Sequence, residues 1–156
     1  MKNHKSGIRF VEIAILVLFG LTTIVSGGCN CNQPFIKGVE VWIDRDPEHP
    51  FSDQIVPSGL TYEIPENTSF RIKIKTQEAL SDSDLDSSGV IIRSDPSIEP
   101  NLSIPLRVEH LEGLTYKADC SSEKASSLEV GQNYETIIHI HHNGQDLYQT
   151  ITLKIK

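Results

Sequence analysis

From residue 39 onward, apolar and polar residues alternate with a period of two, the repeat of a strand buried on one face. In the stretch 39–43, Val39, Val41 and Ile43 share one side. Residues 70–75, Phe-Arg-Ile-Lys-Ile-Lys, alternate apolar and cationic without a break, as in a half-buried antiparallel strand. Leu102, Ile104, Leu106 and Val108 repeat the pattern, and Pro105 among them predicts an edge strand or a strand start. Shorter strands are predicted at 90–92 and 114–118. The sharpest local signal is Asn143-Gly144 between apolar-alternating runs at 134–142 and 145–156, the preferred pair for a two-residue hairpin turn. That turn sets His142 against Gln145 and Ile140 against Leu147. Ile138, Ile140, Leu147, Ile151, Leu153 and Ile155 then face the core, while His139, His141, Tyr148, Thr150, Thr152 and Lys154 face outward. The one helical candidate, 77–83, is a turn or two long. Short strands broken by Pro, Gly, Asn and Ser predict an all-β fold, a sandwich of antiparallel strands.

The first residues follow another pattern. Lys2, Lys5 and Arg9 precede an uncharged run of thirteen residues, 13–25, and Ser26-Gly27-Gly28 stands directly before Cys29. A basic start, a short apolar run and a small-residue box are the anatomy of a secretory leader, and thirteen residues fall short of the roughly twenty that span a bilayer. Small residues before a cysteine resemble the lipobox of bacterial lipoproteins, which implies that Cys29 carries lipid. Ser26 stands where that box usually has Leu, so a leader cut near Gly28 without lipidation is a second reading. A prepilin-like leader, from Gly7 and Glu12, and an uncleaved anchor are two more. The expected division is a leader at 1–28, a tether at 29–38 and one sandwich domain at 39–156. The expected location is extracytoplasmic, on a cell-envelope membrane.

Charge narrows the partners. The chain has 14 Lys+Arg and 21 Asp+Glu; the leader holds three of the bases and one acid, leaving 11 against 20, or −9. Such a surface repels nucleic acid phosphates, so nucleic acid is not an expected partner. The expected partners are the membrane, through the N-terminal lipid, and an envelope or surface protein. If Cys29 is lipidated, Cys31 and Cys120 are the remaining pair. A bond between them would close a loop of about 90 residues, worth more than about 4 kcal/mol in the chain-entropy model. Two free thiols are the alternative.

Pro57-Ser58-Gly59, then Ile64-Pro65-Glu66-Asn67-Thr68 before the strand at 70–75 and Ala79-Leu80, resembles the opening of bacterial Ig-like domains of the S-layer type. Leu128-x-x-Gly131-x-x-Tyr134 is similar to that family's entry to the penultimate strand, and Asn143-Gly144 falls at its last turn. Thr76-Gln77-Glu78 departs from the family's Phe-Ser-Glu-like segment. The resemblance implies an Ig-like β-sandwich used as a spacer or adhesive module, and it brings no catalytic residues.

Two segments offer metal chemistry. In 84–95, Asp84, Asp86, Ser88 and Asp95 fit the oxygen positions of a calcium loop, with Gly89 at its sharp turn. Asp95 replaces the usual bidentate Glu, and a Ser/Asp-rich surface loop is the plainer reading. His139 and His141 project from one strand face, and Asp146 lies across the hairpin from His141, a set for Zn²⁺ or Cu²⁺; a solvated sheet face is the plainer reading here too. The sequence holds no G-x-S-x-G elbow, P-loop or H-E-x-x-H, so no enzyme and no cofactor are expected. The function expected is a membrane-tethered structural, adhesive or protein-interaction module, with recognition in the loops at 44–57 and 94–101. An envelope metal-binding lipoprotein is the alternative.

Overall fold

The computed structural model describes residues 34–46, 48–97 and 101–156, so the leader, Cys29 and Cys31 lie outside the described residues. One sheet has the order β2 (Asp53–Ile55), β1 (Ile36–Ile43), β4 (Phe70–Thr76), β8 (Thr115–Cys120), β7 (Glu109–Glu112). The other has the order β3 (Thr61–Ile64), β10 (Gln145–Ile155), β9 (Asn133–His142), β5 (Gly89–Arg93), β6 (Ser103–Arg107). The run β1-β4-β8-β7 reproduces the A-B-E-D order of an immunoglobulin-type sandwich, and β10-β9-β5 its G-F-C order. β1 begins at Ile36, so the last residues expected in the tether belong to the sheet.

The period-two pattern builds the core. Val41, Ile43, Phe70, Ile72, Ile74, Tyr116 and Ala118 line the inner face of the first sheet. Val90, Ile92, Leu106, Ile138, Ile140, Ile151 and Leu153 line that of the second, all almost fully withdrawn from water. Three buried tyrosines anchor crossings of the chain. Tyr62 donates its hydroxyl proton to the Val39 carbonyl (2.8 Å), while the hydroxyl oxygens of Tyr116 and Tyr134 accept from the Leu80 and Glu129 amides (2.7 Å each). The last is a tyrosine corner: a Tyr at the start of the sixth Ig strand bonding back to the backbone a few residues upstream. It lies within the segment from Leu128 to Tyr134.

Three local expectations are corrected. The strands are not all antiparallel, because β3 pairs parallel with β10. A tight turn at Ser58 and Thr61, with Gly59 at φ +63°, reverses the chain as it passes from the first sheet to the second. The helix lies at α1 (Asp82–Ser87), not at 77–83. Gln77 is still held to the sheet by its amide bond to the Phe35 carbonyl, and Ser81 supplies the first good N-cap after it. Third, β2, β3, β7 and the one-turn helix α2 (Ser122–Ala125) were not foreseen, since they are short and mostly polar.

The edges are guarded against pairing with another chain. β2 has three residues, β7 four with a bulge, and β6 carries Pro105 at its centre. The two ends of the sandwich differ. The chain enters at Ile36, beside Thr76, α1 and the Asn143-Gly144 turn. Ile43, Phe70 and Cys120 mark the far end, from which the connection at residues 44–52 leaves. The connection at 94–102 leaves β5 after Arg93, which pairs with Glu135 near the start of β9.

Candidate functional site

The hairpin register brings the expected histidine face together. Asp146 lies directly across from His141, and Tyr148 across from His139. Both imidazoles turn to the same carboxylate oxygen: His139 Nε2 is 2.8 Å and His141 Nδ1 2.9 Å from Asp146 Oδ1. Each donates in the tautomer that carries its proton on the facing nitrogen. Hydrogen bonds from His141 and His139 hold the Asp146 carboxyl below the usual carboxylate range. The His139 ring also stacks on Tyr148, centroids 4.8 Å apart.

The expected calcium set is not brought together. Asp84 and Asp86 sit on α1, Ser88 follows it, and Asp95 lies beyond the whole of β5, about 16 Å of extended chain further on. Each oxygen has other work. Asp84, the third residue of α1, completes a capping box, accepting from the Ser81 amide, while Ser81 Oγ accepts from the Asp84 amide. Asp86 meets Arg107 at 3.3 Å, and Asp95 accepts from the Ser97 amide and hydroxyl. Ser88 donates its hydroxyl to the Asp84 carbonyl (2.7 Å) and accepts from the His141 amide (2.9 Å), joining α1 to β9. Gly89, expected at the sharp turn of the loop, is instead the first residue of β5.

His142 is the residue that sequence reasoning passed over. It stacks on Phe35, centroids 4.6 Å apart, and its Nε2 lies 3.2 Å from Glu78 Oε2. Its Nδ1 is 3.4 Å from Asp84 Oδ2, within ion-pair range but without hydrogen-bond geometry. The Ser81 backbone amide and hydroxyl, with His142 behind them, hold Asp84 below the ordinary carboxylate range. The Ser81-x-x-Asp84 pattern, readable as a cap, was the available signal.

The outer faces of the two sheets contrast. On the first, Arg71 holds Asp119 through two hydrogen bonds (2.6 and 2.8 Å), Lys117 bridges Asp119 and Glu109, Lys75 meets Glu40, and Lys73 lies over the Trp42 ring at 3.9 Å. On the second, a groove of about 620 Å³ opens over Gly89, bordered by His139, Ile91, Pro105, Arg107 and Lys124. Cys120 carries a free thiol in the core, which burial pushes up to about 11. Cys31, its expected partner, and Cys29 lie outside the described residues.

Among the described residues, no group of three or more His, Cys, Asp or Glu side chains is disposed to hold a metal ion. Comparison with known proteins finds no matching family model and no matching curated protein.

Proposed function

We propose that this chain is a membrane-tethered, extracytoplasmic Ig-like module that makes structural or adhesive contact with another envelope or surface protein. The observation that carries this reading is the polarity of the sandwich. The chain enters β1 at one end, and the strand ends that start the connections after Ile43 and Arg93 lie at the other. A domain entered at one end starts those connections at its opposite end, and surface loops on a rigid scaffold are where recognition concentrates. The leader anatomy before Cys29 and the S-layer-type resemblance of 57–80 and 128–134 support the same reading.

The test is mass spectrometry of the mature protein together with membrane fractionation. A lipid-modified Cys29 at the N-terminus, with Cys29→Ala released to the soluble fraction, is the expected outcome, since stable anchoring takes more than one acyl chain. An intact Met1 at the mature N-terminus would overturn the lipid tether at Cys29.

A further inference from the structure

We propose that the groove over Gly89 binds a carboxylate-bearing, extended peptide segment of a partner protein. The proposal rests on the interaction-module reading above and adds to it a surface and a partner chemistry. The groove follows from register. Tyr148, His139, Gly89 and Arg107 stand in one row across β10, β9, β5 and β6, and Thr150, Ile137, Ile91 and Pro105 form the next. In the first row Gly89 is a gap, because a Cβ built there meets only the Leu106 carbonyl oxygen, at 3.7 Å. One wall is His139 backed by Tyr148. The other is Arg107 with Lys124, which reaches over from α2 and donates to the Pro105 carbonyl at 3.2 Å.

Charge selects the ligand. The chain as a whole carries −7, yet the groove holds two cations, Arg107 and Lys124, against one acid, Asp86. The Asp86–Arg107 contact is 3.3 Å between side chains more than 70% exposed (72% and 74%), a solvent-screened pair that an incoming carboxylate can displace. On the other sheet's outer face Arg71, Lys73, Lys75 and Lys117 are taken up by Asp119, Glu109, Glu40 and the Trp42 ring. Beside the cations, Ile91 is 42% exposed and Pro105 is exposed, a strip suited to the apolar body of a peptide rather than to a bare inorganic anion. Arg favours a carboxylate because its guanidinium can hold both oxygens at once.

The experiment titrates the ¹⁵N-labelled full chain in detergent micelles with hexaglutamate and, separately, with sodium phosphate at matched ionic strength. Saturable shifts from hexaglutamate at the amides of Gly89, Ile91, Arg107 and Lys124 are expected. Arg107→Glu should weaken them at least tenfold. Gly89→Val should abolish them with the melting temperature retained, because Gly89 has ordinary strand backbone and a Cβ there meets only the Leu106 carbonyl oxygen, at van der Waals distance. Absence of saturation, undiminished shifts in Gly89→Val, or equal shifts at Lys73, Lys75 and Lys117 would overturn the proposal. Phosphate matching hexaglutamate in affinity would overturn the peptide assignment. Membrane fractionation of the cells that express the chain separates the two readings: a chain that is tethered but ignores hexaglutamate refutes the groove alone.

Discussion

The phenolic oxygen of Tyr134 accepts the Glu129 amide proton at 2.7 Å, closing the connection that carries the chain from α2 into β9. Tyr134 is 3% exposed, so Tyr134→Phe leaves the Glu129 N–H without its partner at the margin of the core. The expected cost is about 1–3 kcal/mol. Urea denaturation of the two proteins measures it, and equal midpoints would show that the corner adds nothing to stability.

The hairpin register sorts β9 and β10 into a buried and an exposed face. Ile140 is fully buried, and Thr150, the residue before buried Ile151, faces out. Ile140→Ala should cost about 2–5 kcal/mol and Thr150→Ala within about 0.5. Similar losses from both would place the register off by one residue.

Acid should loosen the first sheet through Asp119. Burial alone would raise its carboxyl, but the paired hydrogen bonds from Arg71 and the bond from Lys117 outweigh burial and hold it below the usual value. Its contribution is therefore complete at pH above the unfolded-chain value, near 4, and is lost as pH falls through the lower folded-state value. Melting temperature followed from pH 7 to pH 2 should show Asp119→Asn less stable at neutrality, with the gap closing in acid. A gap constant across that range would count against the ion pair.

Cys120 should remain a thiol. It is fully buried at the far end of β8, and its proton is held up to about 11. Cys31 precedes Ile36 by five residues, a reach of at most about 18 Å. The length of β1 separates Ile36 from the end at which Cys120 lies, about 23 Å. Iodoacetamide at pH 8 should leave Cys120 unmodified until guanidinium unfolds the chain. A Cys31–Cys120 peptide in a non-reduced digest would refute this.

Metal addition separates the interaction module from the metal-binding alternative. With Asp146 Oδ1 bonded by both imidazoles and the four oxygens of 84–95 dispersed, Ca²⁺ and Zn²⁺ at millimolar concentration should leave the melting temperature unchanged. A ligand at a hundred times its Kd would stabilise by about 2.7 kcal/mol. Micromolar binding in calorimetry that His141→Ala or Asp84→Ala abolishes would install the metal-binding reading.

The sequence by itself determined whatever follows from counting along one strand or across one turn. Alternation placed Val41, Ile72, Ile138 and Leu153 in the core, and Asn143-Gly144 set Asp146 across from His141, because a two-residue turn leaves one register open. Tertiary structure decided what depends on residues distant in the chain. Asp84 reads as a ligand until Ser81 takes it as a cap, and His142 reads as a turn residue until Phe35, more than a hundred positions earlier, stacks on it. Gly89 read as the turn of a metal loop. Only when β9, β6 and α2 bring His139, Arg107 and Lys124 around it does its missing side chain become a groove, since side chains from three separate elements meet there only after the sheets have packed.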